Sequence, residues 1–404
     1  MPVIRTFISH HGGDYEDRVA PILRQIAPLG VRPWLDKRDL IDKAGLPLDQ
    51  MLQEAIFNGT CTSLTLFLTK SAATRRWIEF EVQMALERLP DGFRIIPILL
   101  DPLEEIDLPE TFVPFLKRRK VIWLEPTKNP RFLQSYAASV HAAGSVDKDT
   151  TEITIYLGHR RLQWDADLPT EWAAGPVLHL RLALDGAQDF SPTEAEWQEL
   201  ERGLTTLREN LGRLERINIC GQAPLGLAAL IGKVWDRSAG ATSAIQLRSY
   251  NVMGKQVWTT DPQDYDLSSK WAPEKSQHVK MARPVTRRHQ SLLLALLPAG
   301  KMDEYLGSIH RWNEQRDQPA LVHVAQLPDN IRDAEHAREV LRECVGVMRY
   351  IRRACPSVDV IEVVPGYPLA LAPLFLYHLR TLGPVHLYDQ VKLTRKYHLV
   401  TTLG

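Results

Sequence analysis

The chain is poor in cysteine, in net charge and in long apolar runs. Its 404 residues hold 4 cysteines, Cys61, Cys220, Cys344 and Cys355. None stands in a C-x-x-C pair, which removes a zinc-site reading and suits a reducing compartment. Lys+Arg and Asp+Glu balance at 49 each. A net charge of zero argues against a general coat for long nucleic acid and leaves room for a local basic pocket. The longest apolar stretches, Leu292 to Leu297 and Leu369 to Leu376, fall far short of a membrane span, and Pro373 interrupts the second. The opening MPVIRTFISHH lacks the basic segment and long apolar run of a secretory leader. These absences predict a cytoplasmic protein with no membrane partner. The length is enough for two or three domains.

What is present, over residues 1–143, is an alternation of strands and helices. β-branched and apolar runs begin at Val3, Val31, Leu64, Arg94 and Lys120. Between them apolar residues recur at helical spacing: Val19, Ile22, Leu23 and Ile26, then Met51, Leu52, Ala55 and Ile56, then Arg75 to Glu87, and last Pro130 to His141. Strands alternating with helices at this spacing predict a parallel sheet with helices on both faces.

The stretch SAATRRWIEFEVQMAL, Ser71 to Leu86, follows the apolar strand LTLFL. Thr69 or Ser71 can cap the turn between them. Trp77 and Glu81 are four residues apart and share one helical face. An aromatic beside a carboxylate, just past the C-terminal end of a strand, is where an open α/β sheet places a ligand. The same pair also describes an ordinary amphipathic helix with Trp77 in the core and Glu81 in water. Glu79 points about 160° away from Glu81 on a helix, so the two cannot serve one pocket.

Four segments, taken in order, carry a family resemblance: FISHHGGD from Phe7, GVRPWLD from Gly30, DLIDKAG from Asp39, and Ser71-x(5)-Trp77-x(3)-Glu81. Together they resemble a TIR domain. The resemblance implies a flavodoxin-like parallel sheet and one of two roles, adaptor assembly without chemistry or cleavage of NAD+ at the nicotinamide–ribose bond by a single glutamate. Carried over by position, it implies Glu81 as the catalytic carboxylate. It likewise implies Phe7, Ser9, His10, Asp36 and Trp77 as residues that bind NAD+. One departure is His10-His11 where enzyme-class members often carry Tyr-Arg-Arg or similar. The chemistry suits a carboxylate: nicotinamide leaves as a neutral group and the ribose passes through an oxocarbenium-like state. No metal and no bound cofactor are implied; NAD+ is the substrate.

Residues 144–152, small and polar, read as a linker to a second part, 153–404. That part contains a repeat. INICGQAPLGLAALIGKVW begins at Ile217 and IEVVPGYPLALAPLFLYHL at Ile361, an offset of 361 − 217 = 144. Val177-Leu178-His179-Leu180 meets Leu321-Val322-His323-Val324 at the same offset, 321 − 177 = 144. The pseudo-repeats span about 170–252 and 315–392. Each reads strand, long helix, strand, P-L-[GA]-L-A turn, helix, strand. A duplicated α/β unit has a pseudo-two-fold axis and can turn two equivalent βα turns toward one cleft. Helix starts of this kind suit an anionic ligand.

The two turns, with flanking strands ending in SAIQLRSY and GPVHLYDQ, resemble a SAVED domain, a tandem of two Rossmann-like CARF units. The order TIR then SAVED resembles the effectors of bacterial cyclic-oligonucleotide-based antiphage signalling (CBASS). The resemblance implies an NAD+ glycohydrolase switched on by a cyclic tri- or tetranucleotide, cyclic tri-adenylate first among them. Phosphates and bases call for turns, cations and aromatics. The expected contacts are Gly221, Gln222, Pro224, Leu225, Arg248, Tyr250, Lys255, Gly366, Tyr367 and Pro368. Ligand-driven self-association, head-to-tail or as a filament, is expected to complete the TIR site. A non-catalytic scaffold and a ring nuclease are the alternatives.

Overall fold

The computed structural model describes residues 4–35, 48–57, 60–112, 124–127, 129, 131–144, 149–157, 176–180, 192–211, 214–221, 225–235, 244–250, 256–260, 276–281, 292–329, 331–366, 383–390 and 397–403. They group into two compact units. One comprises Met1–Tyr156, Asp165–Gly186 and Thr206–Gly212; the other comprises Leu157–Trp164, Ala187–Thr205 and Arg213–Gly404.

The first unit is built on a parallel sheet. Its strands are β1 (Arg5–Ser9), β2 (Arg32–Trp34), β3 (Ser63–Leu68) and β4 (Arg94–Leu99), in the order β2-β1-β3-β4. Every pairing is parallel. Leu124 extends the sheet past β4, accepting from the Leu99 amide at 2.9 Å and donating to Pro97 O at 3.2 Å. The order is the flavodoxin-like 2-1-3-4-5, which places the chain reversal, and hence the crevice, between β1 and β3. Of the expected last strand only Leu124 falls among the described residues.

The pleat of β3 explains its apolar run. Leu64, Leu66 and Leu68 share a buried cluster with Ile78 and Val82 of the Arg76–Glu87 helix. Thr65 and Phe67 face the other way. Tyr136, on the Phe132–Ala143 helix, donates its hydroxyl to Thr65 Oγ1 at 3.0 Å and meets Phe67 edge-on at 6.4 Å. The strand is covered on both faces, all six of its residues are buried, and the Thr65 hydroxyl among them is hydrogen-bonded.

The stretch after β3 is two helices, Lys70–Ala73 and Arg76–Glu87, broken at Thr74 and the extended Arg75. Of the two expected caps Thr69 is the one used: its Oγ1 accepts from the Ala72 amide at 2.9 Å. β5 (Glu152–Leu157) and β6 (Val177–Leu180) follow in the chain. Val177 O accepts from the Ile4 amide at 3.2 Å, beside the start of β1.

The second unit shows the duplication as topology. β7 (Arg216–Gly221) pairs parallel with β8 (Ala244–Tyr250), and β9 (Gln256–Thr260) runs antiparallel to β8. Further strands are β10 (Lys280–Met281), β11 (Leu292–Pro298), β12 (Leu321–Leu327), β13 (Ile361–Pro365), β14 (Val385–Gln390) and β15 (Tyr397–Leu403). They form one sheet in the order β10-β12-β11-β13-β14-β15. Here again β13 and β14 are parallel and β15 runs antiparallel to β14. β11, between β12 and β13, is fully enclosed from Leu292 to Leu297, so the apolar run there is a central strand. Among the described residues no helix is long and apolar enough to cross a membrane.

The antiparallel strand that follows each repeat lies against a helix of the other, β15 on the Leu225–Val234 helix. β9 lies on the Ala334–Ala354 helix. In the reciprocal contact Thr401 of β15 donates to Glu201 Oε2 at 2.6 Å. Lys233 Nζ donates to Thr401 Oγ1 at 2.6 Å and to Thr402 O at 2.9 Å, and pairs with Glu201.

Candidate active site

The C-terminal edge of the first sheet is cross-linked through three loops. Thr69, after β3, donates its hydroxyl to Asp14 Oδ2 at 2.7 Å in the loop after β1. Asp101, after β4, accepts from the Lys70 amide at 2.8 Å and from Arg18 Nη2 at 2.8 Å. Burial pushes the Asp101 carboxyl up, but these bonds and the neighbouring cations outweigh it and hold the group below the usual carboxylate range. The loops fix the entry to the helix that carries Trp77 and Glu81.

On that helix the ordinary preference is inverted. Glu81 is 5% exposed, whereas Trp77 is 38% exposed and Phe80 also 38%. The two rings lean on one another at 5.7 Å between centroids. An amphipathic helix of no further purpose would bury the indole and leave the carboxylate in water. The Ser9 hydroxyl, at the last residue of β1, donates to Glu81 Oε2 at 2.6 Å, and Ser9 itself is 0% exposed. Glu79 is engaged elsewhere, accepting from Thr111 Oγ1 at 2.7 Å. The structure thus separates the two glutamates as the helical angle requires. Phe80 is absent from the sequence reading, although its spacing from Trp77, three residues, puts the two rings side by side.

The other expected NAD+ contacts are dispersed. Phe7 is 1% exposed and stacks on Trp34 at 4.9 Å with 22° between planes, as part of the sheet core. His10 is half-buried, with Nδ1 3.4 Å from Ile8 O and its ring 5.1 Å from that of Tyr15. Asp36 lies outside the described residues, as does the loop Lys37 to Leu46.

In the second unit both repeat turns have a backbone amide already engaged. At the start of the Leu225–Val234 helix the Gly226 amide donates to Asp389 Oδ2 at 3.1 Å. A Cβ on Gly226 would lie 2.8 Å from Trp197, so only glycine lets the indole close over this turn. Gly366, after β13, donates to Leu296 O at 2.6 Å, and a Cβ there would meet that oxygen at 2.8 Å. Gly221 ends β7, and Leu225 opens the helix; Arg248 and Tyr250 lie on β8. Gln222, Pro224, Lys255, Tyr367 and Pro368 lie outside the described residues.

Tyr388, another aromatic of the closing strands, packs against Trp312 at 5.0 Å, and burial pushes its hydroxyl up to about 12. Arg316 lies over both rings and holds Glu362 through two bonds, Nη1 to Oε2 at 2.5 Å and Nη2 to Oε1 at 2.8 Å.

The parallel sheet in this order is the fold that the sequence motifs of the first 143 residues implied. Residues 6–135 match the family model described as TIR domain. No curated protein sequence matches the chain. Among solved structures, the Acinetobacter baumannii Cap4 SAVED/CARF-domain containing receptor with the cyclic trinucleotide 3'3'3'-cAAA is 13% identical, over 89% of this chain and 86% of that one, with a TM-score of 0.43. The same receptor with 2'3'3'-cAAA is 13% identical over the same shares, with a TM-score of 0.44. The Moraxella osloensis Cap4 receptor is 12% identical, again over 89% and 86%, with a TM-score of 0.39.

Proposed function

We propose that the N-terminal domain hydrolyses NAD+ and that the C-terminal half switches this activity on by binding a cyclic oligonucleotide. The observation that carries the catalytic part is the inverted helix: a carboxylate at 5% exposure beside an indole at 38%. Taking a carboxyl group out of water costs free energy that hydrogen bonds only offset, so a buried Glu81 needs a return beyond packing. Trp77 offers a flat apolar wall for nicotinamide, and Phe80 extends it.

In the reaction the C1′–N1 bond of NAD+ breaks and its electron pair neutralises the nicotinamide ring nitrogen. Positive charge then develops on the ribose, where the Glu81 carboxylate stabilises it or captures C1′ transiently. Water adds to C1′ and releases one proton, giving nicotinamide and ADP-ribose. Trp77 and Phe80 hold the leaving ring and keep bulk water from it.

Support for the sensing part is the duplicated topology, in which β7–β8–β9 and β13–β14–β15 each pair parallel then antiparallel, together with the repeated P-L-[GA]-L-A sequence that follows β7 and β13. The activator is a cyclic oligoadenylate, and binding draws copies of the chain into a head-to-tail oligomer that brings neighbouring TIR domains together. The test is NAD+ consumption by the full chain with and without cyclic tri-adenylate, beside Glu81→Gln, with sedimentation in parallel. Activation in the wild type and none in Glu81→Gln is expected. Assembly with no loss of NAD+ would leave a scaffold, and cleavage of the cyclic ligand on long incubation would point to a ring nuclease.

A further inference from the structure

We infer that Ser9 is a positioning residue for Glu81, holding the carboxylate ionised and in one orientation, and is not a contact for substrate. Its catalytic consequence rests on the hydrolysis proposed above. The Ser9 Oγ to Glu81 Oε2 distance of 2.6 Å falls where charge-assisted O–H···O⁻ bonds fall. A serine hydroxyl has one proton to donate, and here it goes to the glutamate. Ser9 is 0% exposed, so a substrate reaching Glu81 does not also reach its hydroxyl.

The two elements make the bond rigid. Ser9 is the last residue of β1, opposite Leu66 in the ladder with β3, so the β1–β3 pairing fixes its backbone. Glu81 stands mid-helix, and the helix is anchored by Ile78 and Val82 in the core beneath. Fixing Oε2 fixes the plane of the carboxylate and with it the direction of Oε1. A longer or more mobile donor would satisfy the charge without setting that direction.

The test uses the full chain labelled with 13C at glutamate carboxyls, the Glu81 signal being assigned by its loss in Glu81→Gln. Ser9→Ala removes the donor, and Ser9→Cys keeps a side chain of similar size with a weak one. Loss of a hydrogen bond to a charged group moves the Glu81 titration midpoint up by about one to two pH units in both variants. With cyclic tri-adenylate present, kcat for NAD+ falls about ten- to a hundred-fold at neutral pH while KM stays within about two-fold. An unmoved midpoint in both variants overturns the inference. So does a raised KM at unchanged kcat, which would make Ser9 a substrate contact. If Glu81→Gln still consumes NAD+, or the wild type consumes none, the proposed hydrolysis fails. The midpoint, read without turnover, still decides whether Ser9 governs Glu81.

Discussion

Asp389 Oδ2 accepts the Gly226 backbone amide at 3.1 Å, joining the end of β14 to the start of a helix 163 residues earlier. The bond does for that helix what an N-cap side chain does, but from the other repeat. A carboxylate at a helix N-terminus also meets the positive end of the helix dipole. Asp389→Ala is expected to lose about 1–2 kcal/mol, and Asp389→Asn, which keeps the acceptor, markedly less. Thermal unfolding of the full chain ranks the three. Equal melting of Asp389→Ala and wild type would mean that the cap contributes nothing.

Trp197 makes the companion prediction. It is 2% exposed and closes over Gly226, where a Cβ would lie 2.8 Å from its ring. Gly226→Ala must push the indole or the helix aside, an overpacking cost of about 1–3 kcal/mol. Solubility and melting temperature of the variant check this, and a neutral Gly226→Ala would show that the turn has room to yield.

Two positions of the Arg76–Glu87 helix, Glu79 and Trp77, should separate cleanly. Glu79→Gln disturbs a bond to Thr111 and is expected to leave NAD+ turnover within about two-fold. Trp77→Ala removes a ring that is 38% exposed, so it is expected to impair turnover about ten-fold or more while leaving the melting temperature nearly unchanged. A Trp77→Ala chain that melts far below wild type yet turns over normally would make the indole structural.

The sheets were largely legible because buried parallel strands are continuous apolar runs. Leu64 to Leu68 and Leu292 to Leu297 declare themselves in this way. Glu81 was legible through its spacing from Trp77. Its burial was not, since hydrophobicity alone points the indole inward and the carboxylate out. The Ser9 bond spans 72 residues and exists only because β1 and β3 are neighbours, which no local pattern encodes. β9 and β15 escaped for a different reason. QVWTT and YHLVTTL are strands rich in Thr and polar residues, and each lies against a helix of the opposite repeat, which no local pattern announces.

Glu343 gathers a segment of the second unit. Only 6% exposed, on the Ala334–Ala354 helix, it accepts from Ser276 Oγ at 2.7 Å and from the amides of Gln277, His278 and Val279 at 2.9, 2.9 and 2.6 Å. These bonds lead the chain into β10, which pairs antiparallel with β12. Glu343→Ala strands four donors, a loss of about 2–4 kcal/mol felt mainly in this segment. Hydrogen exchange is expected to rise at residues 276–281 and to stay low in β11. Uniform exchange across both would show that the anchor is not local.

His141 sets an acid limit on the first unit. It is 2% exposed, and burial pulls its pKa down to about 4, a fall only partly offset by the neighbouring Gly30 and Leu29 backbone. The folded chain therefore holds a neutral imidazole where the unfolded chain, with the ordinary value near 6.5, takes up a proton. The unfolded state binds more protons between these values, so stability is fully present above about pH 6.5 and falls as the pH drops toward 4. The slope from one such group is about 1.4 kcal/mol per pH unit. His141→Gln removes this titration. The difference in melting temperature between wild type and variant is then expected to narrow, or reverse, from pH 7.5 to pH 5.5. A difference independent of pH over that range would mean that the imidazole is already protonated in the folded chain, or that it stays in contact with water.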